Sequence, residues 1–94
     1  MEKKDEEKLL KLIGSTGTKQ ILELLSEQGA GQYKEMKGFT STHALNRRLR
    51  ELLSFSLIEH HFEREEGRRE WYEITERGKE LLKCIETIIE VVEK

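Results

Sequence analysis

The sequence predicts a small, mainly α-helical domain with one small β-hairpin. A short helical segment over 32–37 and a longer one over about 41–55 are separated by a glycine-containing turn. Alternating apolar and polar residues then indicate two strands, over 57–64 and 68–75. A last amphipathic helix follows over 76–92. Because a two-stranded hairpin directly after a helix-turn-helix forms a winged helix, the predicted fold is a winged helix-turn-helix with a C-terminal dimerisation helix.

Length and composition fit one such domain. The chain has 94 residues, of which 35% are hydrophobic and 38% charged, so its core is modest and dimerisation would bury more surface. We expect a single domain over 1–94, with the helix-turn-helix and wing in 14–75 and the dimerisation helix in 76–94. No long apolar run and no signal-peptide pattern is seen, so we expect a cytoplasmic protein without a membrane partner. The one cysteine, Cys84, excludes an internal disulfide framework.

Two helices are predicted before the helix-turn-helix turn. The first, over 5–13, places three apolar side chains on one side: Leu9, Leu12 and Ile13. Ser15 or Thr16 is available to cap the second helix, over 18–28. That helix is predicted to present one shared face: Ile21, Leu24, Leu25 and Gln28. The small residues of 29–31 permit close backbone approach and hence a very short strand.

The helix over 41–55 has two different faces. Thr40 or Ser41 can cap its start. Its apolar stripe has spacings of four and three residues, with one flanking leucine: Leu45, Leu49, Leu52 and Leu53. The opposite face is polar and basic: His43, Asn46, Arg47 and Arg50. The pattern therefore indicates one core face and one face that can reach base edges, although an ordinary surface helix with solvated arginines would show the same periodicity.

Charge is concentrated around this helix pair. The chain as a whole carries a net charge of −2, which argues against a protein that coats nucleic acid generally. Between Ala30 and Arg50, however, five basic residues stand against one acidic residue, an excess of +4. A local excess of this kind favours a nucleic-acid surface over a merely solvated face.

The hairpin predicts a wing of mixed charge. Ile58, His60 and Phe62 alternate with three polar residues, and Tyr72 and Ile74 return on the same side. The turn over 65–67 contains Gly67, which suits a positive φ. The wing, over 63–70, carries three arginines among four glutamates: Arg64, Arg68 and Arg69, with Glu63, Glu65, Glu66 and Glu70. Such arginines commonly contact phosphates or a minor groove, and the glutamates would weaken that contact.

The last helix predicts a dimer interface. Thr75 can cap it, and Gly78 is expected to be tolerated in its first turn. Its apolar residues follow a 4-3-4 spacing typical of a helix–helix seam. The predicted interface, completed by the first helix, comprises Leu9, Leu12, Leu81, Cys84, Ile85, Ile88, Ile89 and Val92. The alternative is a helix that lies entirely on its own core.

Three motifs together carry a family resemblance. TKQILELL (18–25), ALNRRLRELLSFSLIE (44–59) and REWYEITERGKELL (69–82) resemble the winged helix-turn-helix transcriptional regulators of bacteria and archaea, in their HxlR-like, PadR-like or ArsR-like branches. The resemblance covers about 14–82, and the compact size suits an archaeal or phage-like member. The family pattern usually has glycine where this chain has Ser56.

The resemblance implies a homodimer on a pseudo-palindromic operator, with the second helix of each motif in a major groove of double-stranded DNA. By position, the base-facing candidates are Thr42, His43, Asn46 and Arg47. The implied phosphate contacts are Tyr33, Lys34, Arg50, Arg68 and Arg69, and Ser41 and Arg64 complete the DNA-binding set. Asparagine can pair with adenine and arginine with guanine through two hydrogen bonds.

Other chemistry finds little support in the sequence. His60 and His61 are adjacent on a strand and point to opposite faces, so they cannot chelate one metal together, and we expect neither a metal nor a cofactor. Cys84 is expected to be a small buried side chain, with a redox role left open. No catalytic serine setting or phosphate-binding glycine loop is present, so an enzyme is not expected. No effector is evident, and a winged-helix module that binds protein instead of DNA is the alternative function.

Overall fold

The computed structural model, which describes residues 1–65 and 67–94, is a helical domain with a small antiparallel sheet. In the described residues its elements are α1 (Lys3–Ile13), α2 (Thr18–Gln28), β1 (Ala30–Gly31), α3 (Tyr33–Met36), α4 (Thr42–Ser54), β2 (Ile58–Glu63), β3 (Arg69–Ile74) and α5 (Glu76–Glu93). This confirms the predicted winged helix-turn-helix and its C-terminal helix. Glu66, in the predicted wing turn, lies outside the described residues, while Gly67 beside it has φ +102° as expected.

The sheet has the order β1-β3-β2, with all pairs antiparallel. The hairpin register runs from Ile58 opposite Ile74 to Glu63 opposite Arg69. The expected short strand is present as β1 and pairs with β3. β1 lies close against α2, since a Cβ at Gly31 would be 2.8 Å from a terminal methyl carbon of Leu25.

The core lies between the helices and the inner face of the sheet. The predicted stripe of α4 is buried, with Leu45, Leu49 and Leu52 no more than 3% exposed. The remaining buried apolar residues are Leu12, Ile21, Leu22, Leu25, Met36, Leu57, Ile58, Leu82 and Ile85. Every helix contributes at least one side chain to this cluster, which therefore holds α4 in place.

The predicted face of α2 was partly wrong. Leu22 is fully buried beside Ile21 and Leu25, whereas Gln28 is exposed and Leu24 only partly buried. The reason is that α2 packs against both β3 and α5, so its buried face, which consists of Thr18, Ile21, Leu22 and Leu25, is rotated around the helix from the predicted stripe.

The helix caps follow the prediction at two of three positions. Ser41 caps α4 by accepting a hydrogen bond from the Ala44 N–H at 3.2 Å, and Thr75 caps α5 by accepting from the Gly78 N–H at 3.0 Å. Neither Ser15 nor Thr16 caps α2, whose N-cap is Gly17 with φ +93°. The Ser15 hydroxyl is directed backwards instead and donates to the Lys11 carbonyl at 2.6 Å.

The loop over 55–57 is tied to the first turn of α5. The Thr75 N–H donates to the Leu57 carbonyl at 3.1 Å, and the Thr75 hydroxyl donates to the Ser56 carbonyl at 2.7 Å. An Arg77 guanidinium N–H donates to the Phe55 carbonyl at 3.2 Å. Position 78 requires glycine, because a Cβ there would collide with the Leu57 carbonyl oxygen.

The residues predicted to form a dimer interface separate into two groups. Leu12 is 0% exposed and Ile85 is 6% exposed, so both pack inside their own chain and cannot offer surface to a partner while this fold is kept. Leu9 and Leu81 are partly buried. The second half of α5 is exposed, and so is Cys84, which is not the buried side chain expected.

The exposed apolar surface of α5 is formed by Ile88, Ile89, Val91 and Val92, which are between 38% and 80% exposed. Within the described residues, no helix combines the length and the apolar character that crossing a bilayer requires.

Candidate nucleic-acid interface

The turn between α3 and α4 is held by short-range bonds. The Gln32 N–H donates to the Glu35 carboxylate at 2.8 Å, which closes the start of α3. Met36 is fully buried and anchors the end of that helix, and the Phe39 N–H donates to its carbonyl at 3.1 Å. Gly38 has no positive φ and open space around it. The turn therefore depends on the buried Met36 more than on Gly38, which lies between the two helices.

The outward face of α4 is polar throughout. The exposed residues include every α4 position that the sequence assigns to DNA: Thr42, His43, Asn46, Arg47 and Arg50. They project from one helix whose other face is buried, so they share one surface. The Arg47 side chain is 59% exposed, and its Nε is 3.9 Å from the Glu51 carboxylate. This ion pair is long and exposed and contributes little, so it does not prevent Arg47 from reaching a ligand.

Arg48 has a different role from its neighbour. Its side chain is only 16% exposed, and its Nη1 is 3.2 Å from a Glu51 carboxylate oxygen. Its Nε–H donates to the Thr16 carbonyl at 3.2 Å, which ties α4 to the loop between α1 and α2. Arg48 is one of the five basic residues in the local excess between Ala30 and Arg50. Its charge, however, is already paired with Glu51 of the same chain.

A groove of about 840 Å³ runs between α1 and α4 and extends the basic surface. Its lining combines four cationic side chains with two acidic ones: Lys8, Lys11, Arg47 and Arg50, with Asp5 and Glu51. The lysines of α1 were not predicted as site residues. Their position on the polar side of α1 was readable, but the packing of α1 beside α4 depends on tertiary contacts that one sequence does not display.

The two candidates on α3 have different environments. Lys34 is exposed, whereas Tyr33 is partly buried and packs against the core. Both line a groove of about 380 Å³ together with Lys37, Glu70 and Tyr72. Burial, with smaller contributions from Glu70 and Tyr33, raises the pKa of Tyr72 above its ordinary value. The phenol therefore remains a neutral hydrogen-bonding group, and Glu70 makes this groove less cationic than the one beside α1.

All three wing arginines are exposed. The Arg64 guanidinium carbon lies 4.9 Å from the centre of the Phe62 ring, and that of Arg69 lies 6.0 Å from the centre of the Trp71 ring. Phe62 is itself 41% exposed, because β2 extends beyond the core at this end. The arginines thus rest on aromatic faces at the surface and are interspersed with glutamates, as the sequence predicted.

These features define a winged helix-turn-helix with an exposed polar and basic second helix. The chain belongs to the HxlR-like helix-turn-helix family, whose family model matches residues 12–94. This confirms one of the three branches that the motifs resemble. The family consists of transcription regulators with a DNA-binding helix-turn-helix, and not of enzymes.

Among solved structures, the chain is similar to one described as the redox regulator HypR in its oxidized form. The two share 20% sequence identity with a TM-score of 0.75, and the match covers 95% of this chain and 94% of the other. At this identity the likeness concerns the fold. No curated protein sequence matches the chain.

Proposed function

We propose that this protein is a homodimeric transcription regulator that binds specific sequences in double-stranded DNA, with α4 of each protomer in a major groove. The observation that carries the proposal is the outward face of α4, which is exposed and consists of polar and basic side chains on a helix whose other face is buried in the core. A helix of this kind fits the major groove, where each base pair displays a distinct set of donors and acceptors.

Base reading is assigned to the N-terminal half of that face. Thr42, His43, Asn46 and Arg47 lie on its first turns, where helices of this motif usually meet base edges. Asn46 is suited to adenine and Arg47 to guanine, each through two hydrogen bonds. The loose contact of Arg47 with Glu51 supports this role, since little free energy is lost when the side chain turns to a base.

Phosphate contacts are assigned to the surroundings of α4. On one side these are Arg50 and the neighbouring lysines of α1, Lys8 and Lys11, which line one groove. On the other side are Tyr33 and Lys34, and the wing adds Arg64, Arg68 and Arg69 on the backbone or in the minor groove. Such contacts position the protein on the duplex and carry little sequence information.

Dimerisation is assigned to the second half of α5. Ile88, Ile89 and Val92 form an exposed apolar strip that continues the spacing of the buried residues before it. A contiguous apolar strip on a surface helix is typical of an interface. Two copies would pair through this strip, and Cys84, which is exposed, lies beside it.

A salt series tests the proposal. Binding to random double-stranded DNA should weaken steeply as salt rises, because each phosphate contact releases counterions and contributes about −0.9 to the slope of log K against log salt. Because the dimer carries one Arg50 on each protomer, the Arg50→Ala variant removes two contacts and should lower the slope by about two, whereas Lys83→Ala, on the exposed polar side of α5, should leave it unchanged.

Sedimentation of the free protein is measured in parallel. A dimer with a steep salt dependence supports the regulator and justifies selection of an operator sequence. Absence of binding even at low salt would contradict the proposal and favour a module that binds another protein.

A further inference from the structure

The outer face of the wing sheet, away from α4, carries a second group of chemically active side chains. Glu59 lies directly opposite Glu73 in the β2–β3 register, and His61 lies opposite Trp71. Residues two apart on a strand point the same way, so these four side chains share one face. His60 points to the other face, where its ring stacks on Tyr72 with 4.8 Å between ring centres.

Three potential ligand atoms converge on this face. The His61 Nε2 is 3.4 Å from the Glu59 Oε1 and 3.7 Å from the Glu73 Oε1. All three atoms lie within 4.8 Å of one another. A tetrahedral zinc ion with ligand bonds of 2.0–2.2 Å holds its ligand atoms roughly 3.3–3.6 Å apart. The two histidine–carboxylate distances are already close to that range. The separation of the two carboxylate oxygens is no more than 4.8 Å, and a small rotation of the Glu59 side chain brings it into the range as well.

The His61 side chain is 37% exposed, but its Nε2 atom is turned inward, is closed to solvent and has no hydrogen-bond partner. Its distances to the two carboxylates exceed those of charge-assisted hydrogen bonds, which are about 2.7–2.9 Å. Leaving a buried polar atom without a partner is costly. A cation between the two carboxylates would give this nitrogen a ligand bond in the direction that it already faces.

The surrounding residues also favour a cation. Like charges directly opposite each other on paired strands are destabilising, and Glu59 and Glu73 form such a pair. The Trp71 Nε1–H donates to the Glu73 Oε2 at 2.8 Å, which fixes the carboxylate and leaves Oε1 free. The Trp71 ring also stacks on His61, with 5.5 Å between ring centres and 12° between planes. Contacts that orient ligands in this way are typical of metal sites.

We propose that Glu59, His61 and Glu73 bind one divalent transition-metal ion of the zinc class, with water completing its coordination. One nitrogen and two carboxylate oxygens suit such an ion, and the two negative charges of the carboxylates balance its charge. Because the ligands come from both strands, the ion joins β2 to β3 at the base of the wing. The site was not predictable from the sequence, because the cross-strand register that places Glu59 opposite Glu73 brings the three side chains together.

Trp71 provides a direct probe, because it is the only tryptophan in the chain and contacts two of the ligands. Titration with Co²⁺, which is paramagnetic, should quench its fluorescence at a ratio of one ion to one chain. Zn²⁺, followed by calorimetry, should compete with Co²⁺ and raise the thermal unfolding temperature, since a ligand that binds only the folded state stabilises it.

Variants locate the site. His61→Ala should weaken Zn²⁺ binding on the order of 10–100-fold or more, since even residues that only support a ligand have effects of that size. Glu73→Gln should also weaken Zn²⁺ binding. Because glutamine has the same shape and can still accept the Trp71 hydrogen bond, this variant separates the loss of a ligand from a folding defect. The matched control is His60→Ala, which removes the adjacent imidazole from the opposite face and should leave both affinity and quenching unchanged.

Three results would overturn the proposal. The first is that the unaltered protein fails to bind Zn²⁺ or Co²⁺ at a ratio of one to one. The second is binding that survives both His61→Ala and Glu73→Gln, and the third is a loss of metal affinity in His60→Ala equal to that in His61→Ala. None of these measurements involves DNA, so their outcome is independent of the proposed function.

Discussion

The helices α4 and α5 begin alike and end differently. Each starts with a hydroxyl side chain that accepts a backbone N–H, from Ser41 and Thr75 respectively. In α4 the apolar stripe is buried along the whole helix, at 0–3% exposure from Leu45 to Leu52. In α5 only the first half is buried, and by Ile88 the exposure has risen to 59%.

The difference separates two kinds of surface. An amphipathic helix whose apolar stripe is buried presents a polar outward face, and α4 is therefore suited to a charged or hydrogen-bonding partner. A helix that leaves part of the same stripe exposed is suited to an apolar partner. The same sequence periodicity thus marks a stripe that is buried in the core along α4 and a stripe that is buried only in the first half of α5.

The largest expected effect comes from a charge placed on the exposed strip of α5. Ile88→Glu should convert a dimer into a monomer and weaken operator binding on the order of 10²–10⁴-fold, because two linked half-sites bind far more tightly than one. Sedimentation and DNA titration measure the two changes. Ile88 is a cleaner target than Leu81, which packs against the monomer's own core.

The control for this change is Lys83→Gln, which alters the net charge by the same amount on the polar side of α5. It should leave the dimer intact. A dimer that survives Ile88→Glu would remove the distinction drawn between the two helices and return α5 to a purely internal role.

The buried start of α5 gives the next largest effect. Gly78→Ala should lower the free energy of unfolding by roughly 1–3 kcal/mol, because the added Cβ would meet the Leu57 carbonyl and the backbone would have to shift. Urea denaturation measures it. Gly14→Ala is the control, since its Cβ would lie 3.7 Å from the nearest atom, the Leu10 carbonyl oxygen, and should change stability by no more than about 0.5 kcal/mol. Equal effects in the two variants would contradict the close packing inferred at Gly78.

The outward face of α4 is tested by two adjacent arginines. Arg47→Ala should weaken specific DNA binding by about 1–3 kcal/mol at one base-pair position and leave stability unchanged. Arg48→Ala should do the reverse and cost about 1 kcal/mol of stability through its bonds to Thr16 and Glu51. Binding to a panel of operator variants and urea denaturation distinguish the two. An equal loss on every sequence would instead make Arg47 a phosphate contact.

The smallest expected effect is at the end of α4. Ser56 is the only described non-glycine residue with positive φ, at +57°, in the place where the family pattern usually has glycine. Ser56→Gly should stabilise the protein by up to about 1 kcal/mol, since the strain removed exceeds the flexibility gained by the unfolded chain. Thermal unfolding detects this. Ser54→Gly, at the last residue of α4, where φ is not positive, should not stabilise the protein, because glycine has a lower helix propensity than serine; a gain there would refute the backbone argument.

Local patterns predicted most of the fold. The bounds of α2 and the caps at Ser41 and Thr75 follow from short stretches of sequence, because they depend on residues within one turn of each other. The stripe of α4 was readable for the same reason. Ser56 departs from the family pattern in the sequence, but its left-handed backbone is visible only in the structure.

Features that depend on tertiary packing were not predictable. Leu12 and Ile85 have the sequence periodicity of an interface, but both are buried in the core of their own chain. Arg47 and Arg48 are alike in the sequence, and only the approach of Thr16 gives Arg48 a structural role. The Glu59, His61 and Glu73 cluster requires the register of two strands, which alternation alone does not fix.

In the proposed dimer, the hydrogen bonds between the 55–57 loop and the first turn of α5 would set the separation of the two DNA-binding helices. They join the end of α4 to the start of α5, so the two helices move as one body. A dimer that pairs through α5 would then hold its two α4 helices at a fixed separation. Each base pair inserted between the target segments displaces one by about 3.4 Å and also rotates it around the duplex. Tolerance to such insertions is therefore a property of the loop, which need not contact DNA at all.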